Sequence, residues 1–290
     1  MKPTTTSSTR PLITYLVLTF AFSSVFYSLI ISSGRIGGAQ GLYVTGLMWC
    51  PGLAAIVTTL LSGRKLSSLG WNWGPKKYLW QSYLIPLLYA AIAYIIIWIA
   101  GWGHFYNKEF VGNLAKSFGW AGAPDFVVLF FYILFTGVFG MAGSMATALG
   151  EEIGWRGFLV PELYNRLGYT KTSLVSAIIW AMWHYPILLF ADYNSGTPAW
   201  YGLSCFTALV IAISFVFAWL RMRSGSLWTG VLLHASHNLF IQNIFTPLTA
   251  ETKNTNYYYD EFGIVLPVVC IFFGVWYWRK RKELTRLEAV

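Results

Sequence analysis

The sequence predicts an all-α, polytopic membrane protein of about eight transmembrane helices, with a polar chamber in the cytoplasmic half of the bundle. Three observations carry this. Hydrophobic residues make up 56% of the 290 residues and charged residues only 11%, against roughly 25% in an ordinary soluble domain. Too few charges remain to cover a globular surface. The apolar residues fall in blocks of about twenty, the length of helix that crosses a hydrocarbon core. Finally, the cations lie between the blocks and alternate in density from one connection to the next.

The blocks run Leu12–Ile31, Leu42–Leu61, Gln81–Ala100, Phe126–Leu149, Ser173–Phe190, Leu203–Leu220, Leu227–Phe245 and Phe262–Trp278. The first exceeds the 7–15-residue apolar core of a secretory signal and is followed only by the small residues Gly37, Gly38 and Ala39, so it reads as a retained helix. The fourth and seventh carry polar residues at or near one end. With the N-terminus in the cytoplasm, every Lys and Arg except Arg35, Lys108, Lys116 and Lys253 falls on the inner side, as the positive-inside rule requires. Lys2, Arg10, Arg64, Lys65, Lys76, Lys77, Arg221, Arg223 and Arg286 are among the inner ones. Both termini are therefore expected inside, and one helix more or fewer would scramble the alternation.

Between the second and third blocks, Leu69 to Tyr78 mixes Trp, Tyr and Lys and suits a segment at the headgroup level. The whole chain, 1–290, reads as a single integral membrane domain with a motif-bearing core at about 126–245. The short loops point to a bacterial plasma membrane. The net charge of +9 follows the membrane topology and forms no clustered face for nucleic acid. Cys50, Cys205 and Cys270 are widely spaced inside apolar blocks. They suit neither a disulfide framework nor a zinc cluster.

Ionisable side chains inside a bilayer cost about 2.5–3.5 kcal/mol each, so they mark sites. The first group is Gly150-Glu151-Glu152-Ile153-Gly154-Trp155-Arg156. Glu152 and Arg156 are spaced i,i+4 with the acid first, the favourable order for a helical ion pair. Glu151 points about 100° away and is left for another task. The second group is His184 in Trp180-Ala181-Met182-Trp183-His184, about 16 Å into its block. The third is His234-Ala235-Ser236-His237-Asn238, in which His234 and Asn238 share a face. Each alone has a bland explanation, as a helix end among headgroups or a helix–helix hydrogen bond. A single shared polar cavity explains all three.

A carboxylate beside an imidazole in a low-dielectric pocket can activate water, and a second imidazole with an amide can steady an oxyanion. Carboxylates and imidazoles of this number would also suit zinc with an open position. No H-E-x-x-H is present, and Asp125, Asp192 and Asp260 lie at block edges, which removes an aspartyl dyad. Ser144 and Ser236 are the serines left for rhomboid-like chemistry.

Glu151-Glu152-x-x-x-Arg156, then Trp180-x-x-x-His184, then His234-x-x-x-Asn238, resemble the three-motif signature of the CPBP family, the type II CAAX prenyl proteases and bacteriocin-processing or Abi membrane proteins. The resemblance covers about residues 150–240. It implies an intramembrane endopeptidase acting on membrane-associated or prenylated, CAAX-like substrates, with Glu151 as base, His184 assisting, and His234 and Asn238 at the oxyanion. Glu152 and Arg156 would orient the site, and Trp180 stands where the family usually has Phe, keeping an aromatic wall. In a metal-dependent version Glu151, His184 and His234 would hold a divalent ion such as zinc. The metal-free version is favoured because no ligand set here has a settled zinc spacing. A non-catalytic membrane partner or regulator on the same scaffold and a proton-coupled transporter are the competing functions. The transporter is disfavoured by the lack of internal repeats.

Overall fold

The computed structural model describes residues 8–33, 39–191, 194 and 196–285. Lys2, Arg35, Gly37, Gly38, Asp192 and Arg286, which entered the topology and motif arguments, lie outside the described residues. Helices stand at all eight expected blocks. They are α1 (Arg10–Ser33), α2 (Ala39–Leu61) and α3 (Lys76–Ile99), then a short α4 (Lys108–Ser117) outside the blocks. α5 (Asp125–Phe135) passes through a π turn (Thr136–Gly140) into α6 (Met141–Glu152), and a second π turn (Ile153–Leu159) leads into α7 (Val160–Phe190). α8 (Ala199–Ser224), α9 (Trp228–Asn238), a third π turn (Leu239–Phe245), α10 (Thr246–Leu248), α11 (Val265–Arg279) and α12 (Lys282–Thr285) complete the order.

Among the described residues five helical runs are long and apolar enough to span a membrane by themselves. One of these, Asp125–Phe190, holds both the fourth and fifth blocks and turns at Gly168, whose φ of 67° is open to glycine. α11, with 15 residues, is about 22 Å long, shorter than a 30 Å core. Large apolar side chains point outward along the helices, among them Val17, Leu60, Ile99, Phe126, Phe272 and Trp276. Such a surface suits lipid and not water. Trp73 stacks on Trp228 with ring centroids 4.3 Å apart, and the Trp228 indole donates to the Trp71 carbonyl at 2.8 Å. The Trp-rich segment before α3 is thereby tied to the start of α9.

The fourth block does not end where its polar residues begin. The helix continues past Leu149, and residues 150–160 are all buried. The glutamates therefore lie within the bundle and not at a frayed end among headgroups. What admits them is a close crossing with α2. A Cβ at Gly150 would meet the Met48 carbonyl oxygen and the Trp49 Cα at 2.8 Å, and one at Gly154 would meet the Pro51 backbone at 2.6 Å. On the facing side, a Cβ at Gly52 would meet the Gly150 carbonyl at 2.4 Å. Small residues spaced i,i+4 let helix backbones touch where lipid offers no hydrophobic drive for packing. α3 and α6 both pack on α9, and α8 packs between α7 and α11. A two-stranded ribbon, β1 (His104–Phe105) with β2 (Thr249–Ala250), joins the loops at one end of the bundle.

Gly150→Ala and Gly154→Ala are each expected to lower the melting temperature in detergent by about 3–10 °C, because overpacking costs about 1–3 kcal/mol. Gly143→Ala, which meets nothing within 4 Å, is the matched control and should melt as the wild type does.

Candidate active site

A cavity of about 160 Å3 opens among the helices, and Glu151, Trp180, His184, His234 and Asn238 all line it. α6 brings the glutamates, α7 brings Trp180 and His184, and α9 brings His234 and Asn238. Glu151 is 2% exposed. Its Oε2 accepts from two indoles, Trp155 Nε1 at 3.1 Å and Trp180 Nε1 at 2.9 Å. Both donors use the same oxygen, so Oε1 is held by neither. Trp180 is therefore a hydrogen-bond donor to the carboxylate as well as the expected aromatic wall.

Glu152 is fully buried and makes the i,i+4 ion pair that the spacing predicts, Arg156 Nη1 to Oε1 at 2.8 Å. His234 Nδ1–H donates to the same oxygen at 2.9 Å. The Arg156 guanidinium lies over the rings of Trp180 (4.2 Å) and Phe217 (3.6 Å), an arrangement that favours a desolvated cation. A Cβ on Gly230 would come within 2.7 Å of Glu152 Oε2, so the glycine of α9 makes room for the carboxylate. His184 Nδ1–H donates to the Trp180 carbonyl at 2.9 Å, which leaves Nε2 as the free ring nitrogen of the neutral tautomer. Trp183 and Phe206 stand against the ring, with centroids 4.7 and 5.0 Å away.

The serines do not join this group. Ser144 donates to the Ala235 carbonyl at 2.9 Å, Ser236 is buried, and neither lines the cavity. Asp125 begins α5 and Asp260 sits in the loop before α11, both away from the cavity lining. The metal set also fails to assemble. Glu151 uses one oxygen on two indoles and His234 uses Nδ1 on Glu152, so Glu151 Oε1 and the Nε2 atoms of His184 and His234 accept or donate no hydrogen bond among the described residues. Among the described residues no three His, Cys, Asp or Glu side chains come together as a metal-binding group.

Residues that spacing did not reveal complete the lining. His237 faces the same cavity, together with Gln242 from the third π turn and Glu261 from the loop before α11. Only His237 had a sequence signal, as a second imidazole in its motif. Trp155 was also within reach of prediction, since it lies i,i+4 from Glu151.

The chamber extends further than expected. Ile30, Val44, Leu47, Ile187 and Phe206 line it as well, and these lie at the ends of α1, α2, α7 and α8 remote from Arg10, Arg64 and Arg221. Glu152 and Arg156 lie toward the cation-rich side and outside the lining, and the cavity runs from Glu151 across to the other side. The cause is the continuation of α6, which places Glu151 well inside the bundle.

Removing one partner of a buried ion pair costs about 3–5 kcal/mol. Glu152→Ala is expected to lose that much in denaturation in detergent, and Glu152→Leu with Arg156→Met to regain most of it. Equal loss in the single and double variants would mean that the pair contributes nothing specific.

Residues 134–240 match the family described as Rce1-like, type II CAAX prenyl endopeptidase. The chain is also similar to a CAAX prenyl protease 2 of Methanococcus maripaludis, 26% identical over 156 residues, or 50% of this chain and 51% of that protein. It thus spans about half the length of the curated relative it matches. Every motif residue lies inside 134–240, the stretch over which the chain is similar to that family.

Proposed function

We propose that the protein is an intramembrane endopeptidase that hydrolyses a peptide bond of a membrane-anchored substrate with an activated water. One observation carries this reading: a buried carboxylate, Glu151, held by one oxygen on two indoles, in a cavity shared with His184, His234 and Asn238. The indoles hold the carboxylate in place without neutralising it, as an ion pair would.

Water in the cavity donates one hydrogen to Glu151 Oε1 and the other to His184 Nε2. A lone pair of its oxygen then faces the substrate carbonyl. Glu151 takes the proton as the oxygen adds to the carbonyl carbon, and the carbonyl oxygen becomes an oxyanion. The Asn238 amide and the His234 imidazole donate to that oxyanion, and Glu152 on Nδ1 supports the imidazolium that this requires. Glu151 then passes its proton to the amide nitrogen, the oxyanion re-forms the carbonyl as the C–N bond breaks, and a carboxylic acid and an amine result, the acid's proton passing to the amine as they leave. Preorganised donors of this kind contribute about 2.7–4 kcal/mol each.

The relative's name supplies a candidate substrate class, prenylated CAAX-like C-termini among membrane-associated peptides. The cation distribution supports both termini in the cytoplasm of a plasma membrane. On that orientation the cavity reaches from the bilayer middle into the outer half.

With a lipidated reporter peptide in proteoliposomes, Glu151→Gln and His184→Ala are each expected to lower kcat/KM at least 100-fold, with melting temperature and expression unchanged. Retention of activity in Glu151→Gln would remove the general-base assignment. Gradient-driven uptake without cleavage would replace the protease with a transporter.

A further inference from the structure

A second carboxylate–imidazole pair lines the same cavity and has no task in the reaction above. His237 Nε2 is 2.9 Å from Glu261 Oε1, and Gln242 Nε2 donates to that same oxygen at 3.0 Å. The Tyr89 hydroxyl lies 2.6 Å from His237 Nδ1 and has no other partner among the described residues. A buried hydroxyl proton needs an acceptor, so Tyr89 donates to Nδ1. His237 is then the neutral tautomer that donates Nε2–H to Glu261.

Four elements converge on this set: α3 through Tyr89, α9 through His237, the third π turn through Gln242, and the loop before α11 through Glu261. The loop is built to deliver the carboxylate inward. Asp260 adopts a left-handed backbone, φ 62°, which is unusual for a residue other than glycine. Its side chain accepts from the Glu261 amide at 2.8 Å, and its own amide donates to the Tyr94 hydroxyl at 3.3 Å. The next residue, Phe262, stacks on Phe206 with centroids 5.8 Å apart.

Charge makes the arrangement incomplete. Glu261 is 5% exposed, and among the described residues it pairs with no lysine or arginine. Arg156, the cation in this part of the bundle, is committed to Glu152. A buried carboxylate held on one oxygen by an imidazole and an amide, with no lysine or arginine beside it, keeps an attraction for a cation at its other oxygen. Both donors occupy Oε1, and the residue lines the cavity.

We propose that Glu261, presented by His237 and Gln242, receives a basic side chain of the substrate, the ammonium of a lysine or the guanidinium of an arginine close to the bond that is cut. The assignment rests on the protease reading and names a specificity element for it. It acts on substrate choice and not on the water, since Glu151 and His184 supply the base.

The test uses short N-palmitoylated peptides that carry one lysine, walked along a neutral sequence, with the full-length protein in proteoliposomes. At one position lysine is expected to raise kcat/KM at least tenfold over methionine, and acetylation of that lysine should remove the gain. In Glu261→Gln, which keeps an acceptor for His237, the lysine-to-methionine ratio should fall below threefold. A second readout is binding of the same peptides to the Glu151→Gln protein, where lysine should tighten Kd at least tenfold and added Glu261→Gln should abolish the difference. Cleavage with no lysine preference, or a preference that survives Glu261→Gln, overturns the specificity site and leaves the protease reading intact. Lysine-dependent binding without cleavage by the wild type overturns the protease reading and keeps the cation site. The acetylation comparison on wild-type protein serves where the variant does not fold, and equal rates there overturn the proposal.

Discussion

The guanidinium of Arg156 is the centre about which the rest of the site is arranged. It is a full cation buried in a bundle with few charges, and such a group survives only with its charge matched and its faces covered. Glu152 supplies the charge, and Trp180 and Phe217 supply the faces. Each partner then positions something else. Glu152 orients His234, Trp180 holds Glu151 and accepts from His184, and the Arg156 carbonyl accepts from Arg221 Nε at 2.7 Å. Four helices, α6, α7, α8 and α9, are thereby set relative to one another around one residue.

The close crossing of α2 over Gly150 and Gly154 makes this possible from the other side. Backbone contact leaves no side chain between the two helices, so the carboxylates are covered by peptide groups and rings. A larger residue on either helix would separate them and admit lipid beside the acids. Tight packing and a polar interior are therefore two aspects of one design, because the cavity keeps its few polar groups only while its walls stay closed.

Much of the fold was legible because hydrophobicity along a chain reports membrane burial directly, and helices occupy all eight apolar blocks. The Glu152–Arg156 pair was legible because it is local, one turn of helix apart. Block edges were less so: Glu151, Glu152 and Arg156 depress hydropathy and mimic a helix end, yet the helix runs on through them. Trp180 could be read as a ring but not as a donor, since its partner lies on another helix. Tyr89, Gln242 and Glu261 meet His237 from separate segments, and no spacing within one element announces a meeting that tertiary structure creates. Glu261 was the hardest to find, because an acid beside an apolar block reads as an ordinary loop residue.

Two of the motif helices pass directly into π turns, Ile153–Leu159 after the glutamates and Leu239–Phe245 after Asn238. A π turn carries one residue more than the α-helix around it and is often found at functional sites. Its consequence concerns length and not identity. Loss of the extra residue from either turn would let the helix heal into regular α geometry, with the residues beyond it kept on their faces. The change would be felt inside the turns themselves, where Arg156 and Gln242 stand. Shortening either turn by one residue would therefore disturb the site first and leave the far end of the helix in place.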